Sequence, residues 1–118
     1  MSKITGKAII KVDGNQWRTT DGCKLHPGGV EREAKVGGGR VHGYSEKTKA
    51  PELEASVYHT RDTDLTAINA IKDATVIFES DTGDRYVLRA AFVTEQGSLD
   101  SENGTVDVKM SAEGCERL

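Results

Sequence analysis

A long glycine-rich and charged run over residues 36–60 constrains the fold of this chain more than any other feature. It leads through Ala50-Pro51 into an alternating strand. One face of that strand carries Leu53, Ala55 and Val57, and the other carries Glu52, Glu54, Ser56 and Tyr58. The run contains no recognisable catalytic motif. An extension of this kind on a small β protein is better suited to holding a neighbouring chain than to turning over a substrate.

Length and composition favour a single small domain over residues 1–118. The chain has only six aromatic residues (one Trp, three Tyr and two Phe), and 30% of its residues are charged. A core of this size holds one small sheet or barrel and leaves little room for a deep substrate cleft. Thirteen glycines and two prolines suit a sheet-rich protein with tight turns. Partner chains could supply burial that the single chain lacks.

The charge and the hydropathy pattern argue against two classes of partner. The net charge of −3 argues against sequence-independent nucleic-acid binding, which depends on clustered Lys and Arg. No apolar run approaches the ~18 to 20 residues that a membrane span needs. Since the N-terminus lacks the apolar core of a secretory signal, we expect the chain to be made and folded in a cytoplasm.

The first half of the chain predicts strands joined by turns. Asp13-Gly14 is a strong hairpin signal, joining a strand over Ile4–Val12 to a return strand over residues 16–20. A loop is expected over residues 21–29 and a short strand over residues 30–36.

The middle of the chain predicts an arm loop, residues 40–51. The triple glycine at residues 37–39 favours a flexible hinge over a phosphate-binding loop, because no Gly-Lys-Ser/Thr follows it. Extended structure resumes over residues 40–44, and residues 45–51 form a charged turn. Pro51 marks the start of the next strand, residues 52–60.

One helix is predicted, over residues 64–72. Thr63 is the expected N-cap, and Leu65, Ile68 and Ile71 share one face. At under about three turns this helix is marginal alone, so its apolar stripe must pack on the sheet.

Three further strands are predicted, over residues 75–80, 85–94 and 105–113. The second places Tyr86, Leu88, Ala90 and Phe92 on one side. The third turns Val106, Val108, Met110 and Ala112 inward. The predicted fold class is therefore mainly β: a small antiparallel β-sandwich or barrel with one flanking α-helix and a long extended arm loop.

The sequence offers no catalytic, cofactor or metal site. The three histidines, His26, His42 and His59, have no ligand spacing, and no nucleophile-elbow pattern is present. Cys23 and Cys115 fit two reduced thiols without a role, or disulfides between subunits in a particle that has left the cell.

The order of elements resembles the tail tube proteins of contractile-tailed bacteriophages, particularly the short Mu-like branch. The likeness covers nearly the whole chain. It rests on KAIIKVDG (7–14), VG (36–37), VHGYSEK (41–47), KAPELEA (49–55), the helix with Leu65, YVLRAAF (86–92) and GTVDVKMSA (104–112). The two cysteines depart from the expected pattern of the family.

This resemblance implies that six copies form a ring and that stacked rings build a hollow tube inside a contractile sheath. The expected partners are other copies of the chain, the tail sheath protein, the tape measure protein and DNA passing through the lumen without specific binding. No membrane partner is expected. The implied location is the virion tail, assembled in the bacterial host cytoplasm.

Two surfaces are candidates for these contacts. The arm loop supplies candidates for subunit or ring interfaces: Arg40, Tyr44, Glu46, Lys47, Lys49 and Pro51. The outward positions of two strands supply a polar face that would line either the lumen or the exterior: Glu52, Glu54, Asp107, Lys109 and Glu113. Acidic lumen residues would repel phosphates and keep DNA moving.

Three alternatives stay open. The inner tube of a headless contractile particle, such as a bacteriocin or a secretion system, would share the fold. A monomeric β-domain that binds a ligand or protein is a second alternative, and an enzyme is the third.

Overall fold

The computed structural model describes residues 2–20 and 22–118. Asp21, the first residue of one predicted loop, lies outside the described residues. Within them the chain forms strands β1 (Ala8–Val12), β2 (Asn15–Gln16), β3 (Lys24–His26), β4 (Gly29–Gly37), β5 (Arg40–Lys49) and β6 (Glu52–Tyr58), helix α1 (Leu65–Asn69), and strands β7 (Ala74–Ser80), β8 (Arg85–Glu95), β9 (Leu99–Asp100), β10 (Thr105–Ser111) and β11 (Gly114–Arg117).

The strands form an antiparallel body with a separate two-stranded hairpin. The body has the strand order β2-β1-β7-β8-β10-β6-β3, with β11 also on β8 and β9 also on β10. Strand β8 is shared by two halves of this body. Its first part pairs with β7 and β11 in one half, and its end pairs with β10 in the other. This arrangement confirms the predicted mainly antiparallel β fold with one short helix.

The core lies between the two halves of the body. Its largest fully buried side chains are Ile10, Leu53, Val76, Leu88, Val106 and Met110. The predicted inward faces of β6 and β10 are confirmed, because Leu53, Ala55 and Val57 are buried, as are Val106, Val108 and Met110. Both strands alternate because only one face of each is packed on the core.

The predicted single apolar face of β8 is wrong. Leu88 and Ala91 are fully buried, whereas Phe92 is 39% exposed. Ala90 has a φ of +51°, a left-handed backbone conformation that breaks the alternation of the strand. The strand changes face there, as it passes from its β7 partner to its β10 partner.

The helix is shorter than predicted and has a different cap. Asp64, not Thr63, is the N-cap: its Oδ1 accepts hydrogen bonds from the Thr66 and Ala67 N–H groups at 3.0 and 3.2 Å. The Thr63 hydroxyl instead accepts from the Thr60 N–H. Ile68 is buried against the core, as its position in the apolar stripe predicts. Among the described residues, no helix is long and apolar enough to cross a bilayer.

Candidate assembly surfaces

Strands β4 and β5 form a projecting hairpin, here called the arm hairpin. Pairing between β3 and β6 ends with His26 opposite Glu52 and resumes with Gly29 opposite Lys49. The register is the same on both sides of this break, so the arm hairpin continues the β3–β6 ribbon beyond the body. At about 3.3 Å per residue it is ~30 Å long. Every residue of β4 and β5 is exposed in the single chain.

Two predictions for this segment are wrong. Residues 45–49, expected in a charged turn, belong to β5. The triple glycine is a tight turn at the tip of the hairpin, not a hinge, with φ values of +59° at Gly38 and +77° at Gly39. The His42 ring nitrogen Nε2 lies 3.0 Å from the Gly37 carbonyl oxygen and adds a further contact across the tip.

Five of the eight residues on one face of the arm hairpin, here called its apolar face, are apolar side chains, although all eight are exposed. Residues paired directly across an antiparallel ladder share a face, and this face carries the pairs Val30–Thr48, Arg32–Glu46, Ala34–Tyr44 and Val36–Val41. Val36, Val41 and Tyr44 are each 65–70% exposed. Arg32 lies 3.8 Å from the Glu46 carboxylate and 5.8 Å from the centre of the Tyr44 ring. An apolar face of this length is typical of an interface.

The opposite face of the arm hairpin is charged. Its cross-strand pairs include Glu31–Lys47, Gly37–Arg40 and Gly29–Lys49. Lys35 lies 3.5 Å from Glu33 on the same face. The arm hairpin is therefore amphipathic, with one face suited to water and the other to a protein surface.

The predicted interface residues separate into three groups. Tyr44 and Glu46 lie on the apolar face, while Arg40, Lys47 and Lys49 lie on the charged face. Pro51 is buried at the base of the hairpin, where it supports the arm hairpin instead of adding to its surface. The sequence does not predict the apolar face as an interface. The alternating Val30, Ala34 and Val36 of β4 were the available signal.

The predicted polar face is largely assembled by the pairing of β6 with β10. The Ser56 hydroxyl donates to Asp107 Oδ1 at 2.7 Å, and Lys109 lies 3.9 Å from Glu54. Glu52 lies on the same face of β6 as Glu54 and Ser56. Glu113 is not part of this face, because β10 ends at Ser111 and the Glu113 N–H donates to the Arg89 carbonyl oxygen on β8.

Two further charged residues join this face. Lys24 of β3 lies opposite Glu54 in the strand register, and Glu95 of β8 lies opposite Lys109. Together with Asp107 they line a shallow groove of about 540 Å³. Across the described residues, His, Cys, Asp and Glu side chains form no cluster of three or more that could hold a metal ion.

The two cysteines pack against the core from opposite halves of the body. The Cys23 thiol donates to the Thr20 carbonyl oxygen at 3.2 Å. Burial, together with the neighbouring Glu116 carboxylate, raises the pKa of the Cys115 thiol. Partial burial and a raised pKa both slow the oxidation of a thiol. Both therefore argue against disulfides between subunits, which stay a prediction.

A small antiparallel β body with an exposed amphipathic arm is an architecture typical of a β-domain subunit in a larger assembly. The comparison with known proteins identifies the family. This chain belongs to the phage tail tube protein family, whose model matches residues 1–117.

Two relatives support this assignment along almost the full length. The chain is 38% identical over 117 residues to the tail tube protein of the Mu-like prophage FluMu of Haemophilus influenzae, covering 99% of this chain and 98% of the relative. It is 28% identical over 113 residues to the tail tube protein of Escherichia phage Mu, covering 96% of this chain and 93% of that protein.

Two solved structures share the fold. The anti-feeding prophage cap, described as a tube terminating cap, matches with a TM-score of 0.69 and 14% identity over 100% of this chain and 91% of that one. Hcp1 from Flavobacterium johnsoniae matches with a TM-score of 0.63 and 14% identity over 94% of each chain. Membership of the tail tube family implies self-assembly into a tube that belongs to the phage tail.

Proposed function

We propose that this chain is the structural protomer of the tube of a contractile phage tail, with six copies in each ring and rings stacked into a hollow conduit for DNA. The tube would lie within the tail sheath and enclose the tape measure protein before DNA passes. The tail tube names of the relatives from phage Mu and from the Haemophilus prophage support a phage tail over a headless particle. The role is structural, not catalytic.

The exposed apolar face of the arm hairpin is the observation that carries this proposal. Burying a valine side chain stabilises by about 1.5–3 kcal/mol, and this face exposes Val30, Val36 and Val41 together with Tyr44. An exposed ion pair contributes about 0–1 kcal/mol. Apolar burial against another copy is therefore the larger contribution to assembly, and the charged face of the arm hairpin adds selectivity.

The polar face of β6 and β10 is our proposed lumen surface. Its carboxylates, Glu52, Glu54, Glu95 and Asp107, outnumber its lysines, Lys24 and Lys109. A net acidic wall repels phosphates at short range and would leave DNA free to slide. This assignment predicts that phage carrying Glu54→Lys and Asp107→Lys assemble tails normally but eject DNA slowly.

Electron microscopy of the purified full-length chain, alone and with tail extract, tests the proposal. We expect rings with sixfold symmetry and tubes of uniform width, with a matching fast fraction in sedimentation velocity. A chain that stays monomeric under both conditions would overturn the proposal in favour of a monomeric binding module. Tubes found only in particles without a DNA-filled head would instead support the headless alternative.

A further inference from the structure

A second surface lies at the far end of the body from the arm hairpin. It is a groove of about 560 Å³ between the β1–β2 turn, the end of β6 and helix α1. We call it the α1 groove. Its residues come from separate segments of the chain and meet only in the folded protein.

The α1 groove has an apolar floor. Trp17 and Ile71 are half-buried in it, Ala67 is exposed, and the Tyr58 ring is 50% exposed at its edge. These side chains leave apolar surface open beside the fully packed core, of which Ile68 forms the nearest part.

The rim of the α1 groove is acidic. Among the described residues that line it, Asp13, Asp62 and Asp64 stand against one cation, Arg18. Arg18 donates to the Thr60 hydroxyl at 3.0 Å. Asp13 and Asp64 accept hydrogen bonds from backbone N–H groups. Asp62 is exposed and makes no hydrogen bond or ion pair with the part of the chain that the structure describes.

The tip of the arm hairpin has the complementary composition. Residues 34–45 contain Lys35 and Arg40 and no carboxylate. Val36 and Val41 face each other beside the turn and are 70% and 68% exposed. Within residues 2–20 and 22–118, Arg40 has no ion-pair partner. The tip thus offers two apolar side chains on one face and an unpaired cation in the neighbouring cross-strand pair on the other face.

The positions of the two surfaces exclude contact within one copy. The arm hairpin leaves the body at the Glu52 end of β6, whereas the α1 groove lies at the Tyr58 end. Seven residues of strand separate them by ~20 Å, and the arm hairpin extends away from the groove. A tip and a groove at opposite ends of one copy produce a head-to-tail contact, which either closes into a ring or repeats as an open stack, depending on the rotation between copies.

We propose that the arm-hairpin tip of one copy inserts into the α1 groove of a second copy in the next ring, with Val36 and Val41 on the apolar floor and Arg40 beside Asp62. This inference rests on the proposed tube function and names the docking surface for stacking. Charge matching at such a contact selects the partner and its orientation.

Charge reversal tests the pairing in the full-length chain. We expect Arg40→Asp and Asp62→Arg each to raise the protein concentration needed for tube formation about tenfold, since an attraction becomes a repulsion at every contact. The double variant, with both reversals in one chain, should form tubes at the wild-type concentration. An equal mixture of the two single variants should also assemble, because each supplies the partner that the other lacks.

Lys7→Asp is the matched control, since Lys7 is exposed and its side chain makes no ion pair within the described residues. It should assemble like the wild type. Thermal melting should show equal stability for all variants, since both reversed side chains are exposed. Normal tube formation by either single variant would overturn the inference, as would failure of both the double variant and the mixture to assemble. If the wild-type chain forms neither rings nor tubes, even with tail extract, the proposed function itself fails.

Discussion

The Ser111 hydroxyl donates a 2.8 Å hydrogen bond to the Pro51 carbonyl oxygen, at the base of the arm hairpin. Both residues are buried, Ser111 to 7% exposure. The bond joins the end of β10 to the residue that precedes β6. It therefore connects the core of the body to the point where the arm hairpin begins.

Replacing Ser111 by alanine should destabilise the fold by about 1–3 kcal/mol, because a buried carbonyl oxygen loses its partner. Urea unfolding followed by circular dichroism would measure the free energy of unfolding. Ser98→Ala is the control, since Ser98 is exposed, and it should change stability by less than about 0.5 kcal/mol. Equal effects of the two substitutions would contradict a role for the Ser111 bond.

Gly28 also lies at the base of the arm hairpin, where it packs closely against the backbone of residues 49–51. Its φ is +76°, and a Cβ placed there would lie 2.7 Å from both the Lys49 oxygen and the Pro51 nitrogen. Gly28→Ala should therefore cost more than backbone strain alone, which is about 1–2 kcal/mol. Gly38→Ala is the matched control, because Gly38 has a φ of +59° and a Cβ added there would have no neighbouring atom within 4 Å. The measurement is the melting temperature of both variants, and a drop no larger for Gly28→Ala than for Gly38→Ala would argue against close packing at the base.

Shortening the arm hairpin separates folding from assembly. Replacing residues 32–46 with Asn-Gly joins Glu31 to Lys47 through a two-residue turn and keeps the observed strand register. Since the removed residues are all exposed, we expect the melting temperature to stay within a few degrees of the wild-type value and tube formation to be lost. Sedimentation velocity would show whether rings persist. Tubes of normal length from this variant would exclude the arm hairpin as a stacking element.

The parts of the fold that the sequence predicts well are those buried on one side. Strands β6 and β10 alternate cleanly because Leu53 and Val106 belong to the core while their neighbours face water. The arm hairpin is exposed on both faces, so no core contact selects which residues are apolar. The charge pattern of residues 45–49, the second half of β5, therefore predicts a turn where the chain forms a strand.

Other errors come from contacts that one segment cannot reveal. The left-handed residue Ala90 turns β8 over between two sheet partners, and alanine has no intrinsic preference for that conformation. Glu113 leaves the polar face because β10 gives way to β11 after Ser111. The α1 groove joins residues from three separate elements, so its acidic rim becomes visible only in the folded chain.

Acid should weaken the attachment of the N-terminal segment to the β7–β8 turn. The Gly6 N–H donates to Asp81 Oδ1 at 3.2 Å and, with the Lys7 backbone and the Lys3 ammonium group, lowers the pKa of the Asp81 carboxyl. A lowered pKa in the folded state means that the unfolded chain binds the proton first. The stabilisation is therefore fully present above about pH 3.9, which is the ordinary pKa of aspartate. It is lost as the pH falls through the lower pKa of the folded state.

Asp81→Asn should accordingly lower the free energy of unfolding at pH 7, and the difference from wild type should shrink below about pH 3.9. Urea unfolding at a series of pH values between 7 and about 2.5 would measure both curves. Asp73→Asn is the control, since Asp73 is exposed and makes no hydrogen bond or ion pair with the described part of the chain. A difference between Asp81→Asn and wild type that stays constant down to the lowest pH would show that the loss comes from packing and not from the Asp81 charge.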